Sequence, residues 1–464
     1  MRSAIMDIGY NAIRAVVYED DRLGAPEIFN NKFKNDILSL LASESIDIKH
    51  QTYLSIQYLL HIFEKLEVSN IKCVATAVLR NHPRADDFIK HIETKYNFDI
   101  VVISGAEEAR LTALGLIAGI RDSNGIAADL GGGSLELIEI ANREIGKLKS
   151  FELGTKIISS RNIKDENEII DIIKNHYGNQ TYDNLYLIGG ALRFIGRLYI
   201  DFMQYPLKNL HNLEIPTQEF SSYLTKLQLS SNNTKNKLGR RRINNNAAFV
   251  AKAMINVFQP EKIVISTYGL KEGVRVAAMS EQERQKDIVL EKVKYTCNFD
   301  MQKTDFESYF KIVTPLLSKG ENAEKTIQLA IMLLSLQHKF DKTLHPAAIS
   351  EFILSSEIPF THKMRVMLAL ILSYATNYKP NTELMRISRK LVSKEEHNDS
   401  QIIGHFLFIA KEIDGPNFTI PSFAINIQNY YLEIDSNEIL PRPIFETICN
   451  RLKSIAFARK MNSN

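Results

Sequence analysis

The sequence predicts an α/β fold built twice over, followed by a helical region. Three observations carry that prediction. The segments MDIGYNAIRAVVYE and ADLGGGSLELIEIA share a strand, a D-x-G turn and a returning strand, about 120 residues apart. Each opens a stretch in which strand-like and helix-like runs alternate, the signature of an α/β unit. From about residue 285 onward strand signals disappear and long helical patterns such as EKTIQLAIMLLSLQHKF and HKMRVMLALILSYATN take over.

The elements follow in order. Ser3 to Gly9 reads as a strand, Tyr10–Ala12 as a tight turn, Ile13 to Glu19 as the returning strand and Asp20–Ala25 as a second turn. Residues 36–68 carry apolar residues at helical spacing. A strand (Ile71–Ala75), a helix (Arg84–Tyr96), a strand (Asp99–Ile103) and a helix (Ala106–Ala118) complete the first unit. The second opens with Gly125–Leu130, turns at Gly131–Gly133 and returns along Leu135–Ala141. It continues through Leu185–Ile188, the pair Gly189–Gly190, a helical Ala247–Phe258, the strand Lys262–Ser266 and a helix after Tyr268. The asparagine-rich basic run SSNNTKNKLGRRRINNN reads as an exposed loop, and its Arg240–Arg242 is either a solvated run or part of a positive track for a polyanion. A small hairpin is expected within Phe418–Ile434. These boundaries give lobes at 1–118 and 119–284 and a helical domain at 285–464, because 464 residues exceed one core.

Bulk composition narrows the class. With 45% hydrophobic and 24% charged residues the chain is an ordinary folded one, and nothing approaches 18 consecutive apolar residues. The opening MRSAIMDIG lacks a signal peptide's apolar core, so a cytoplasmic location and no membrane partner are expected. A formal charge of +3 is too small to announce a nucleic-acid binder, and no sequence-specific nucleic-acid partner is expected. Cys73, Cys297 and Cys449 are too few and scattered for zinc or redox work, and read as reduced thiols.

The paired turns carry the chemistry. Glycines at Gly9 and at Gly131, Gly132 and Gly133 let backbone N–H groups approach an anion closely. Asp7 and Asp129, at the ends of their strands, would repel a bare phosphate but not one carrying Mg²⁺, since a hard cation bridges carboxylates and phosphate oxygens. Two facing D-x-G turns therefore fit metal-assisted phosphoryl transfer.

DIGYNAIR (Asp7–Arg14) and DLGGGSLE (Asp129–Glu136) resemble the two phosphate loops of the fold shared by actin, hexokinase and the heat-shock chaperone ATPases. ATAVLR (Ala75–Arg80), ISGAEEARL (Ile103–Leu111), LGT (Leu153–Thr155), GGALR (Gly189–Arg193) and STYGLKEGV (Ser266–Val274) follow in the order of the exopolyphosphatase/guanosine pentaphosphatase family. The resemblance covers about residues 1–280. It implies a duplicated actin-like, ribonuclease H-like two-lobed fold, and a hydrolase acting on inorganic polyphosphate, guanosine pentaphosphate or both with Mg²⁺, or alternatively Mn²⁺.

Residue by residue, the resemblance implies that Glu108 orients the attacking water and accepts its proton, with Glu107 on another face of its helix. Arg80 matches the family arginine that grips phosphate. The amides of Gly131–Gly133 and the Ser134 hydroxyl would hold the transferred phosphate, opposed by Asn11 and Arg14. Glu136 resembles the second acidic residue, placed to hold a metal-bound water beside Asp7 and Asp129. Gly189, Gly190 and Gly269 resemble the loops bordering adenosine in the kinases, and here would contact the remaining phosphate chain or guanosine.

The chain departs from the family in several places. Tyr10-Asn11-Ala12 stands for serine-asparagine-serine, Ala191 for the threonine of glycine-glycine-threonine, and Lys271 for the arginine of G-L-R-E-G. The helical region lies where relatives carry a domain similar to the HD metal phosphohydrolases, but Leu334 and Ser335 occupy the His-Asp positions, and His338, Asp341 and His345 are read as scattered polar residues. A degenerate, HD-like domain with a structural, substrate-clamping or homodimer-forming role is expected. Against the hydrolase stands a catalytically silent polyanion-sensing protein, which the intact Glu108 disfavours and the Tyr10 and Ala12 changes favour. An ATP-dependent kinase lacks the fuller adenosine signature.

Overall fold

The runs SAIMDI (β1, Ser3–Ile8) and GIAADL (β6, Gly125–Leu130) are almost entirely buried. A strand reads so when helices cover its sheet on both faces. A computed structural model describes residues 1–35, 37–42, 49–80, 82–230, 245–318, 322–339, 347–376, 378–426, 431–434 and 440–462. The basic run Arg240–Arg242, with Asp341 and His345, lies outside the described residues, as does the His338 side chain. The chain divides into two compact units, Met1–Tyr205 with Leu210–Ile288, and Pro206–Asn209 with Val289–Asn464.

In the first unit β1 is followed by β2 (Ala12–Tyr18), β3 (Glu27–Lys34), α1 (Ile37–Ala42), α2 (Gln51–Lys65), β4 (Asn70–Ala75), α3 (Ala77–Arg80), α4 (Ala85–Tyr96), β5 (Ile100–Val102) and α5 (Gly105–Gly119). After β6 come β7 (Leu135–Ala141), β8 (Glu144–Phe151), α6 (Thr155–Ser160), α7 (Glu166–Tyr177), β9 (Asn184–Ile188), α8 (Gly190–Phe202), β10 (Leu213–Pro216), α9 (Thr217–Ser230), α10 (Asn245–Phe258), β11 (Lys262–Ile265), α11 (Leu270–Ala277) and α12 (Glu281–Arg284).

The strands form two sheets, ordered β3-β2-β1-β4-β5 and β10-β11-β9-β6-β7-β8. In each, an antiparallel meander (β1-β2-β3, β6-β7-β8) is joined through its first strand to parallel strands (β4-β5, β9-β11). The fold is thus the duplicated, actin-like one, with β10 added to the second copy. Strands β3, β8 and β10 escaped the sequence reading. EIFNNKFK and EIGKLKSF place lysine or paired asparagine mid-strand, residues depleted in strands, and their pairing with a neighbour outweighs that preference.

Helix α5 lies between the sheets. Its Ala109, Ala113 and Leu116 pack on Ala127 and Ile138 of the second sheet, while Leu111 packs with Ile5 and Val16 of the first and Val274 of α11. Ser104 caps its N-terminus by accepting the Glu107 N–H at 3.1 Å, a contribution of about 1 kcal/mol. The crossing of α5 with α11 is made backbone to backbone. A methyl group at Gly115 would stand 2.0 Å from Gly269 O, and one at Gly273 1.6 Å from Leu111 O.

The second unit is helical: α13 (Ile288–Cys297), α14 (Phe306–Val313), α15 (Ala323–Leu334), α16 (Ala347–Ser355), α17 (His362–Ala375), α18 (Thr382–Leu391), α19 (Lys394–Asp414) and α20 (Arg442–Asn462), with a hairpin of β12 (Phe423–Asn426) and β13 (Tyr431–Ile434). Leu334 is buried at the end of α15, and the Ser335 hydroxyl donates to Met332 O at 2.6 Å. Buried Arg365 donates to the carbonyls of Ile353, Ser356 and Ile358, supplying orphan acceptors in the last turn of α16 and just beyond it. No described helix is long and apolar enough to cross a membrane. All three cysteines are free.

Candidate active site

The site is built where β1 and β6 end. Gly9 N donates to Ala12 O at 3.0 Å and Gly131 N to Ser134 O at 2.9 Å, so the two turns close alike. The second is backed by LGT: Thr155 N donates to Gly131 O and Lys156 N to Gly132 O. A methyl group at Gly154 would stand 2.3 Å from Gly133 C, so only glycine lets this segment lie against the triple glycine. The two turns meet. A methyl at Gly132 would stand 2.8 Å from Asn11 Nδ2 and 3.2 Å from Tyr10 Cβ.

Four carboxyls face one another around these turns. Loss of hydration, with Asp129 nearby, raises the Asp7 carboxyl to about 6, against the lowering pull of Lys32 and Arg14. Asp7 Oδ1 is buried and accepts no hydrogen bond. Asp129 is also raised by burial, opposed by the Arg193 charge and by Thr112 Oγ1 donating at 3.4 Å. Burial and Asp129 push buried Glu136 up to about 7, although Ser134 and Ser150 hydrogen-bond to it, the Ser150 hydroxyl at 2.7 Å from Oε1. Glu108 is pushed well above the carboxylate range, first by burial, then by Glu136, with Asp129 and Asp7 adding to it. Arg80 opposes that shift: its Nη1 donates to Glu108 Oε2 at 3.2 Å and to Ile103 O at 2.7 Å. Glu107 turns away to pair with Arg110 at 2.7 Å.

The other expected residues have mixed placements. The Arg14 guanidinium is directed to Asn30 Oδ1, 3.2 and 3.0 Å from its two nitrogens, rather than into the carboxyl cluster. The Ser134 hydroxyl, expected to meet phosphate, serves Glu136. Gly189, at φ 75°, abuts Asp129: a methyl there would stand 2.5 Å from Oδ1. Gly269 flanks the same carboxylate, and Gly190 opens α8 with Lys32 Nζ 3.9 Å from where its methyl would be. Lys271 joins β3 to α11 through Glu27 (2.6 Å) and Glu272 (2.5 Å).

Sequence reasoning missed two cations. Lys32 was hidden because β3 was unassigned. Arg193 lay in the quoted GGALR without a role; it donates to Gly189 O and Thr267 O, both at 3.1 Å, and faces Asp129. Among the described residues no three histidine, cysteine, aspartate or glutamate side chains converge as a ready-made metal cage. A cavity of about 570 Å³ lined by Ser3, Ile5, Asp20, Arg22, Lys72 and Arg275 opens at the other end of β1, and none of the expected site residues lines it.

Residues 16–282, more than half of the chain, match the model of the Ppx/GppA phosphatase family. The chain belongs to the Ppx/GppA phosphatase family. Among solved Ppx/GppA structures, that of the Aquifex aeolicus family member is 17% identical with a TM-score of 0.50, covering 60% of this chain and 97% of that one. An exopolyphosphatase from Cytophaga hutchinsonii is 19% identical, also at 0.50, covering 59% and 96%. At these identities the two report the fold. The guanosine-5'-triphosphate,3'-diphosphate pyrophosphatase of Aeromonas hydrophila is 33% identical over 92 residues, 20% of this chain, and the match spans 18% of that relative's length.

Proposed function

We propose that this Ppx/GppA chain releases terminal phosphate from inorganic polyphosphate, guanosine pentaphosphate or both, by attack of water between the two turns. The observation that carries the reading is Glu108, held by Arg80 at the start of α5 and buried beside three other carboxyls. As the carboxylate it takes the proton of a water as the water oxygen bonds to the terminal phosphorus, while the bridging P–O bond breaks and its electrons leave with the shortened chain. The amides of Gly131–Gly133, with Asn11 opposite, receive the phosphoryl oxygens, and Arg80 adds charge where the anion develops.

The donor set fits a divalent cation. Asp7 Oδ1 is buried without a partner beside a second carboxylate, and Mg²⁺ commonly takes one or two carboxylates and completes its shell with water and substrate phosphates. Asp7 and Asp129 would hold Mg²⁺ or Mn²⁺, with Glu136 steering water beside them. The cation supplies neutralisation of the phosphate charge. The protein residues align the water, take its proton and exclude other nucleophiles.

Phosphate release is to be measured side by side on short polyphosphate, long polyphosphate and guanosine pentaphosphate, with Mg²⁺ and with excess chelator. Release that stops in chelator is the expected result. No release from any of the three would leave the silent polyanion-binding protein as the better reading, and undiminished release in chelator would remove the cation.

A further inference from the structure

Tyr10 stands where the family carries serine, and its ring is not loose in the cleft. It lies on the facing triple glycine: methyl groups at Gly132 and Gly133 would stand 3.2 and 3.3 Å from its Cδ1 and Cδ2. Over this ring, 4.3 Å from its centroid, stands Lys156 Nζ. Lys156 belongs to the other lobe, its N–H tied to Gly132 O. The backbone that shapes the phosphate cradle thus also aims an ammonium back across it, and an aromatic side chain from the opposite turn receives it.

We propose that Lys156, positioned by the Tyr10 ring, is a second-phosphate clasp: it binds the phosphate next to the one being transferred and so favours phosphate chains over a single phosphate. The inference rests on the proposed hydrolase reading. An aromatic face attracts an ammonium through its quadrupole alone, whereas a phosphate oxygen offers full charge and a hydrogen bond. An arriving polyanion therefore draws Lys156 off the ring, and the ring keeps the ammonium beside the cradle until then. The substitution that removes a hydroxyl from the first turn thereby installs a cation in the second. Tyr10 is a positioning residue, and Lys156 is the group that touches substrate.

The chain contains no tryptophan, so Tyr10→Trp places a single indole under Lys156. Inorganic tripolyphosphate titrated into this full-length variant should change the indole emission saturably, and inorganic phosphate at equal concentration should not. Adding Lys156→Met should abolish the emission change and weaken tripolyphosphate binding by about tenfold, the loss expected for one charge-assisted hydrogen bond. In the otherwise wild-type chain Lys156→Met should raise KM for tripolyphosphate and for pyrophosphate about tenfold with a much smaller change in kcat. An unaltered tripolyphosphate affinity in Lys156→Met overturns the clasp while leaving the hydrolase reading intact. Lysine-dependent binding in a chain that releases no phosphate would keep the clasp and remove the hydrolase.

Discussion

In the first hairpin Asp7 pairs in register with Arg14, and in the second Asp129 pairs with Glu136, across turns closed by equivalent hydrogen bonds. The backbone is the same device used twice. The residue opposite the aspartate differs in sign, and the consequences diverge. Arg14, with Lys32, draws the Asp7 carboxyl downward, whereas Glu136 and Asp129 face each other as two acids deprived of water. The first hairpin thus sets a cation opposite its aspartate, and the second brings the amide cradle and two of the acids that raise Glu108. A duplicated scaffold fixes where groups stand; the charge at one register position decides what each copy contributes.

The largest way to break this division is at the base. Glu108→Gln keeps the shape and a hydrogen bond to Arg80 but cannot take a proton, so phosphate release should fall on the order of 10²- to 10⁴-fold while binding of polyphosphate, followed by calorimetry, is nearly retained. Wild-type turnover in this variant would move the base elsewhere. Next is the contact between the turns. Gly132→Ala pushes a methyl against Asn11 and Tyr10 of the opposite hairpin, and should cost about 1–3 kcal/mol in stability or a matching rise in KM.

A pH test compares the acids of the two hairpins. The folded Asp7 and Glu136 carboxyls lie at about 6 and about 7, above their ordinary 3.8 and 4.5. Between about pH 4 and 7 the folded chain therefore binds more protons than the unfolded one, and its stability falls as pH rises through that window, levelling off above it. Melting without divalent cation should show this loss, on the order of 3 kcal/mol for each carboxyl. Asp7→Asn should flatten it mainly below pH 6, and Glu136→Gln up to pH 7. Added Mg²⁺ should raise the melting temperature more at pH 8 than at pH 5, because protons compete for the same oxygens. A flat profile would show that these carboxyls are well solvated, and a slope of opposite sign that partners hold them ionised. The smallest effect is expected for Gly9→Ala and Gly131→Ala. Their methyls would meet nothing nearer than 3.5 and 3.6 Å, so melting should shift little in either hairpin.

Much of this comparison was legible in residue order. The paired D-x-G turns marked the duplication because a tight turn beside a carboxylate leaves a local pattern, and the helix read at Ala106–Ala118 falls within α5. Lys32 was not legible, since EIFNNKFK becomes a strand only by pairing with β2. Nor was the direction of Arg14, which depends on Asn30 arriving beside it on that same strand. Gly189 looked like a substrate loop; that it also makes room for Asp129 is visible only once β6 and β9 lie side by side. Local signals reveal turns and caps, and hide whatever is settled by a neighbouring strand.

The crossing of α5 and α11 leaves no room for even one carbon at Gly115 or Gly273. In a saturation mutagenesis screen scored by survival, these two positions should tolerate as few substitutions as Glu108. They would be grouped with the chemistry by any ranking of intolerance, although neither has a side chain with which to touch a substrate. Their silence to substitution would measure how closely two backbones must lie for the base at the head of α5 to stay in place. A screen that also recorded the amount of folded protein would separate them from Glu108, whose replacement should empty the activity column and leave the abundance column full.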